Sequence, residues 1–473
     1  MHCAAKGGII EKNGTKGGSV LQHTDEQLGT ERVGRLVFRM SLPAIAAQCI
    51  NMLYNLVDRV YIGHMGADGT VALTGLGLAA PILTLLSAFS AFVGTGGAPL
   101  AAMALGKGDR GRAEKILSNG VTLLCIFALA GGLCAYFFRK PLLYFVGASD
   151  ATYPYADTYL SVYLIGTLAV MLATGLNTYL TAQGRSGTAM LSVVIGAVLN
   201  IALDPLFIFA FHQGVRGAAI ATVISQCVSA AFVLSVLCSP RASLRVRVSR
   251  MRPEGRIILT IFSLGISPFV MTSTESLISF VMNGSLQRYG GDLYVGTLTV
   301  MQSVMQILTV PVSGFTQGVT PVISYNYGAG NLPRVKKAIG CAFAVLVPYT
   351  VLFAVCTMTF PRVFARIFTP DAALIDLAAK AMPIFFAGML IFGVQRACQT
   401  SFLALGQAKI SLCIALLRKV ILLAPLAFLL PRLTGSAFSV YFAEPISDTL
   451  AATTCGILFL CNIKKILAKA GKG

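Results

Sequence analysis

The chain has 473 residues, of which 56% are hydrophobic and only 12% charged, with a formal net charge of +19. Soluble proteins average roughly 25% charged residues, so this composition excludes an ordinary soluble globular protein and predicts a polytopic membrane protein. The positive charge would also fit a nucleic-acid-binding protein, but basic residues gathered in loops on one side of a membrane produce the same total.

The first 35 residues are polar and contain no apolar core of a signal peptide, so we interpret residues 1–35 as a short cytoplasmic tail. The twelve cysteines form no CxxC pair and mostly lie in apolar runs, which is typical of small buried hydrophobic side chains. The four histidines are scattered along the chain. We therefore expect no cofactor and no cluster of histidines or cysteines around a metal ion.

Twelve apolar windows are long enough to cross a bilayer as helices, at ~1.5 Å per residue against a hydrocarbon core of ~30 Å. The predicted spans run approximately over residues 38–62, 71–104, 118–138, 159–183, 188–211, 217–238, 257–286, 293–325, 338–360, 379–405, 410–430 and 435–462. With an even number of spans, both termini lie on the same side of the membrane.

Basic residues are concentrated on the side of the two termini. That side holds Lys107, Arg110, Arg112, Lys115, Arg185, the arginines between 241 and 256, Arg334, Lys336, Lys337, Lys409 and the lysines after residue 463. The positive-inside rule then predicts a multi-pass protein of the plasma membrane with both termini in the cytoplasm. Because this bias accounts for the net charge, we expect no nucleic-acid partner.

The chain repeats itself weakly at an offset of 222 residues. Gly96-x-x-Pro99 recurs as Gly318-x-x-Pro321, and Gly106-x-Gly108-Asp109 recurs as Gly328-x-Gly330-Asn331. Six spans per half make the repeat a parallel one, so we predict an all-α membrane protein with two pseudo-symmetric six-helix bundles. The predicted division is a tail over 1–35, a first lobe over 36–238, a basic cytoplasmic linker over 239–256, a second lobe over 257–462 and a basic tail over 463–473.

The first span carries polar residues at helical spacing. Gln48, Asn51, Asn55 and Asp58 are three or four residues apart, so they share one helix face that must contact protein or water rather than lipid. An alternative interpretation is that Asp58 lies near the helix end and reaches the lipid headgroups. The helix alone does not decide between a functional face and a helix end.

Further polar residues lie in the fifth and sixth spans. Asn200 and Asp204 are four residues apart on one face, Pro205 predicts a kink, and Thr222 lies in the sixth span. Asp58, Asp204 and Thr222 each lie within roughly two turns of the outer end of their helices, at 3.6 residues per turn. Together with Asn200 they predict an all-oxygen site for a hard cation such as Na⁺, or a carboxyl pair that shares a proton. Alternatively, Asn200 and Asp204 only join helices.

The second half does not reproduce these acids. It has instead Glu275 in the seventh span, Arg396 in the tenth, an i, i+4 pair of glutamines in the eighth, and Glu444 with Asp448 in the twelfth. Glu275 and Arg396 could form a structural ion pair or contact substrate, and the roles of Arg59, Glu444 and Asp448 stay open. As candidates for a substrate cleft between the bundles we name Gln48, Asn51, Asn55, Glu275, Gln302, Gln306 and Arg396.

Several stretches resemble one transporter family. Asn55-Leu-Val-Asp-Arg-Val-Tyr-Ile-Gly-His64, Ala72-Leu-Thr-Gly-Leu-Gly77, Gly96-Gly-Ala-Pro99 and Leu105-Gly-Lys-Gly108 are similar to the MATE (multidrug and toxic compound extrusion) transporters, of the bacterial MepA-like or DinF-like type. The resemblance implies two six-helix lobes around a V-shaped cleft. It also implies export of cationic or amphiphilic drugs in exchange for Na⁺ or H⁺, with the coupling ion at Asp58, Asn200, Asp204 and Thr222.

One feature departs from another branch of that family, which has an acid in the tenth span where this chain reads Gly393-Val-Gln-Arg-Ala-Cys398. A cation site there is therefore not expected, and Glu275 keeps at most a minor role. We predict a monomeric antiporter in contact with membrane lipid. The alternative is an exporter or flippase of lipid-linked precursors from the same superfamily. An enzyme is not expected, since no His/Asp cluster or activated Ser or Cys is present.

Overall fold

The computed structural model describes residues 27–65, 69–240 and 242–470, and across these ranges the chain is helical with no strand. The helices of the first half are α1 (Val33–Gly63), α2 (Gly69–Gly106), α3 (Arg110–Phe137), α4 (Arg139–Val146), α5 (Tyr153–Ile165), α6 (Thr167–Ala182), α7 (Ser186–Pro205) and α8 (Gly214–Cys238). A π-helical segment, Leu206–Ala210, continues α7 directly after Pro205, where the sequence predicted a kink.

The second half follows the same plan. Its helices are α9 (Gly255–Gly290), α10 (Asp292–Gly328), α11 (Leu332–Thr359), α12 (Pro361–Phe368), α13 (Ala372–Phe385), α14 (Met389–Ala404), α15 (Ala408–Leu416), α16 (Ala424–Thr434) and α17 (Ala443–Ala470). A 3-10 turn joins α13 to α14, the π-helical segment Leu417–Leu423 joins α15 to α16, and the 3-10 helix Ala437–Phe442 leads into α17.

The described residues contain eleven helices that are long and apolar enough to cross a membrane, and a bent pair makes the twelfth. The bent pair is α5 and α6, whose axes differ by 62°. The sequence predicted this span as one helix over 159–183, whereas the structure starts it at Tyr153 and breaks it at Gly166. The predicted fold class, twelve transmembrane helices in two bundles, is confirmed.

The repeat is visible in the helix bounds. The helices α3 and α11 have bounds that differ by 222 residues at both ends, and the same is true of α4 and α12 and of α6 and α14. Asp109 and Asn331 cap α3 and α11 by accepting a backbone N–H three residues later. Gly108 and Gly330 precede these caps with positive φ angles of 77° and 71°, so the turn itself is duplicated.

The two lobes touch through glycines on the side where α1 begins and α17 ends, which we name the terminal side. A Cβ atom on Gly106 would lie 2.0 Å from the Tyr325 carbonyl oxygen, and one on Gly328 would lie 2.0 Å from the Met103 carbonyl oxygen. On the neighbouring helix pair, a Cβ on Gly318 would lie 2.3 Å from Ser41 Cα. Only glycine permits this approach, so the backbones of the two lobes are in direct contact at Gly106, Gly318 and Gly328. We name these contacts the glycine seam, and they close the terminal side.

The start of α1 belongs to the core of the second lobe. Leu36, Val37 and Met40 are fully buried there against α10 and α11, and Leu28 is buried beside them. Reciprocally, Ile261 of α9 lies in the core of the first lobe. The tail predicted over 1–35 lies mainly outside the described residues, and its described part packs on the second lobe.

Candidate ion and substrate sites

The four residues predicted as an ion site lie together in the first lobe. Asp58 comes from α1, Asn200 and Asp204 from α7, and Thr222 from α8, and all four side chains are buried. The Asn200 Nδ2 atom donates to Asp204 Oδ1 at 3.1 Å and to Thr222 Oγ1 at 3.4 Å. Asp58 lies close enough for its charge to act on Asp204. We name these residues the acidic cluster.

The acidic cluster has buried oxygens without a donor. One oxygen each of Asp58, Asn200 and Asp204 has no hydrogen-bond partner in the described part of the chain. Unpaired buried oxygens and two carboxyl groups are costly in an apolar surrounding unless a cation or a proton joins them. The donor set of carboxylates, amide carbonyl and hydroxyl fits a hard cation, and the same atoms can hold a shared proton.

A group of tyrosines surrounds the acidic cluster, and the sequence interpretation missed it. Asp58 acts electrostatically on Tyr54 of α1 and on Tyr159 of α5, and the Tyr159 phenol contacts Thr222. The Tyr159 ring stacks on Tyr163 with centroids 6.1 Å apart. The available signal was the spacing of four residues between Tyr159 and Tyr163 in an otherwise apolar window.

A polar cavity of about 410 Å³ lies next to the acidic cluster in the first lobe. Gln48, Asn51 and Tyr54 line it from α1, and its other polar walls are hydroxyl and amide side chains. The polar stripe of α1 therefore runs from this cavity to Asp58, through Tyr54 rather than through the predicted Asn55. The Asn55 side chain is exposed and donates to the Asn51 carbonyl at 2.6 Å, because it lies on a neighbouring face of the helix.

A second cavity, of about 330 Å³, lies between the lobes, and we name it the central cavity. Glu275 of α9 and Arg396 of α14, both candidates from the sequence for a substrate cleft, line this cavity. The two cavities share wall residues, among them Thr95, Thr178 and Gln317. The structure does not bring Gln302 and Gln306 to either cavity, because their face of α10 points elsewhere.

The second lobe contains a buried ion network in place of an acidic cluster. Arg418 donates through Nε to Asp448 Oδ1 at 2.5 Å and through Nη2 to Glu444 Oε1 at 3.4 Å. Its guanidinium also lies 5.1 Å from the centre of the Phe392 ring. Lys419 is buried next to Arg418 and acts electrostatically on Glu444.

Sequence reasoning missed Arg418 and Lys419, although two adjacent cations in an apolar window were a visible signal. Both lie in the π-helical segment that joins α15 to α16. π-Helical segments in α-helices often occur at functional positions. The acids Glu444 and Asp448, whose roles the sequence left open, are the partners of these cations.

No group of three or more His, Cys, Asp or Glu side chains is arranged to hold a metal ion within 27–65, 69–240 and 242–470. The acidic cluster has two such side chains and completes its oxygen set with an amide and a hydroxyl. It is therefore suited to a weakly held monovalent ion or a proton rather than to a resident divalent metal.

The arrangement is similar to that of known transporters. A family model described as MatE matches residues 43–206 and 268–429. The multidrug export protein MepA of Staphylococcus haemolyticus is 26% identical over 437 residues, covering 90% of this chain and 95% of that protein. The MepA protein of Staphylococcus aureus is 25% identical over 431 residues, covering 89% and 94%.

Solved structures share the fold. The outward-facing conformation of a multidrug resistance MATE family transporter of the MOP superfamily is 23% identical, with a TM-score of 0.86 over 93% of this chain and 98% of that chain. A MOP superfamily transporter from Pyrococcus furiosus is 22% identical, with the same TM-score and coverage. The match of the family model to more than half of the residues, in both lobes, shows that the chain belongs to the MatE family of membrane transporters.

Proposed function

We propose that this transporter exports cationic or amphiphilic drugs from the cytoplasm in exchange for Na⁺ or H⁺. The curated relatives are named as multidrug export proteins, which supports this substrate class. The observation that carries the proposal is the polar face of α1, which joins the first-lobe cavity to the acidic cluster. A cation that enters the cluster and a drug that enters the cavities then act on one helix.

The proposed mechanism is alternating access. The glycine seam closes the terminal side, and the described start of α1 is held in the core of the second lobe. A cation drives the change of state only if it binds one state more tightly than the other. Asp58 and Asp204 supply that difference in the proposal, since their mutual repulsion is relieved when a cation or proton binds.

The proposed topology has both termini in the cytoplasm, two lobes over 36–238 and 257–462, and a linker over 239–256. The linker is fastened to the first lobe: Thr122 donates to the Met251 carbonyl at 2.8 Å, and the Glu254 N–H donates to Asn119 Oδ1 at 2.9 Å. Fluorescence of a fusion at residue 473 tests the orientation, since green fluorescent protein fluoresces in the cytoplasm. We further propose a monomer surrounded by lipid.

Ethidium efflux from inverted vesicles, under separately imposed Na⁺ and H⁺ gradients, tests the proposal. Asp58→Asn and Asp204→Asn should each reduce gradient-driven efflux to background. Asp150→Asn, which changes an exposed carboxylate outside the acidic cluster, is the matched control and should leave efflux unchanged. Wild-type efflux from a folded Asp58→Asn protein would contradict the assignment of the coupling site.

A further inference from the structure

The central cavity contains two charges of opposite sign. Glu275 and Arg396 are its charged lining residues, and its other polar groups are neutral hydroxyls and amides such as Thr316, Gln317 and Gln399. Apolar walls come from Met271 and Leu403, among others. The cavity therefore combines an acid, a base and apolar surface within a space suited to a small organic molecule, since ligand sites typically measure ~300–1,000 Å³.

Arg396 differs from Arg418 in how its charge is satisfied. Arg418 has two carboxylate partners within 4.0 Å, whereas no ion pair within that distance involves Arg396 among the described residues. The Nε atom of Arg396 is buried and has no hydrogen-bond partner. Glu275 acts on Arg396 only at longer range, and Arg418 opposes it with a like charge.

An unpaired guanidinium at membrane depth is costly, and such residues in transporters mark substrate or ion pathways. A guanidinium presents a planar fork of N–H donors that matches a carboxylate with two parallel hydrogen bonds. The Glu275 carboxylate, on the facing helix α9, is complementary to an amine or another organic cation. The two groups thus form a complementary pair for a molecule that carries both charges.

We propose that the central cavity binds zwitterionic amphiphiles, with Arg396 holding the substrate carboxylate and Glu275 facing the substrate cation. Arg396 is then a residue that determines specificity between an acid and its uncharged ester. This inference rests on the proposed drug export and narrows its substrate class.

Binding of tetramethylrhodamine and of its methyl ester to the purified protein tests this inference. The two dyes share one cationic ring system and differ only in the free carboxylate. Fluorescence anisotropy gives a Kd for each dye without an ion gradient. Because a hydrogen-bonded charge pair is lost, Arg396→Gln should weaken binding of the acid by roughly 10- to 100-fold and leave the ester within about twofold of wild type.

Three further variants keep the test decisive. Arg288→Gln removes the same charge from an exposed position at the end of α9 and should change neither Kd. Glu275→Gln should weaken both dyes, since both carry the cation. If Arg396→Gln proves unstable, Arg396→Lys keeps the charge without the planar fork and should weaken the acid selectively.

The outcomes separate the two proposals. Equal losses of acid and ester in Arg396→Gln, or no loss of either, would overturn the role of Arg396. Efflux of both dyes from wild-type vesicles without discrimination would overturn the narrowed substrate class while leaving drug export intact. Absence of efflux of ethidium and of both dyes would instead count against the proposed function itself.

Discussion

The two lobes both bury a pair of carboxyl groups and satisfy them in opposite ways. Glu444 and Asp448 of α17 follow Thr222 and Gln226 of α8 by 222 residues, and Arg418 follows Gly196 by the same offset. The first lobe has the two buried carboxyl groups of its acidic cluster at other positions, Asp58 and Asp204, and neither forms an ion pair within 4.0 Å among the described residues. The second lobe buries two carboxylates with Arg418 between them.

This difference shows how a duplicated fold can divide its roles. A carboxylate pair without a cationic side chain can take up and release a mobile cation, which is what a coupling site requires. A carboxylate pair that holds an arginine contains its cation permanently, because the guanidinium is part of the chain. On the proposed function, the first lobe therefore binds the coupling cation. In the second lobe, Arg418 already neutralises the buried carboxylates.

The largest effect is expected from giving the first lobe a fixed cation. Gly196 is four residues before Asn200 on the same face of α7, and a Cβ there would make an ordinary contact, 3.5 Å from the Ser229 Cβ. Gly196→Arg should reduce cation-driven ethidium efflux to background, because the guanidinium would compete for the acidic cluster. Efflux from inverted vesicles measures this loss, with elution volume and melting temperature as checks on folding.

The control for that variant is Gly187→Arg, which adds the same charge at an exposed position near the start of α7, with open space around it. It should transport like wild type. Normal efflux from a folded Gly196→Arg protein would contradict the idea that a fixed arginine replaces the mobile cation in a lobe.

The second expected effect is on stability. Arg418→Gln leaves Asp448 and Glu444 buried without their partner, and breaking a buried ion pair costs roughly 3–5 kcal/mol. The midpoint of thermal unfolding of Arg418→Gln in detergent should therefore fall well below that of Arg139→Gln. Arg139→Gln breaks a more exposed ion pair with Asp157, and its loss should lower the free energy of unfolding by at most about 1 kcal/mol.

The combination of Arg418→Gln, Lys419→Gln, Glu444→Gln and Asp448→Asn removes the four charges of the network together and should recover most of the lost stability. A melting temperature of Arg418→Gln equal to that of Arg139→Gln would show that the network contributes nothing to the second lobe.

The smallest effect is expected at the hydroxyl of the acidic cluster. Thr222→Ala removes one partner of Asn200, which costs about 0.5–1.5 kcal/mol for a hydrogen bond, or roughly 2- to 10-fold in apparent affinity for the coupling cation. The cation concentration for half-maximal efflux measures it. Ser235→Ala, which removes an exposed hydroxyl of α8 that donates to the Phe232 carbonyl of the same helix, should leave that concentration unchanged. Equal shifts in both variants would exclude a specific role for Thr222.

The sequence predicted the spans, the repeat and the acidic cluster, because polar side chains are conspicuous in apolar windows. It did not predict which face of a helix meets its neighbours: Tyr54 rather than Asn55 lines the first-lobe cavity. Spacings of three and four residues are both compatible with one face of a helix, and only packing decides between them. The i, i+4 pair Gln302 and Gln306 was misleading as a cavity signal for the same reason.

Long-range contacts could not be predicted from the sequence either. The pairing of Arg418 with acids about 30 residues later depends on how α17 packs against the π-helical segment, and local spacing carries no record of it. Likewise, the assignment of the start of α1 to the second lobe follows from tertiary packing. The 62° bend between α5 and α6 was missed because hydropathy windows average over a single glycine.

Hydrogen bonds hold the linker between the lobes on the surface of the first lobe, and this affects how strong the glycine seam needs to be. Asn119 and Thr122 hold the linker to the first lobe up to Glu254, the residue directly before α9. The lobes are thus connected by a very short tether, which gives their facing surfaces a high effective concentration for each other. A seam under that condition needs little intrinsic affinity to re-form. On the proposed alternating-access mechanism, the seam can therefore be weak enough to separate in each cycle while the linker keeps the two lobes together in the bilayer.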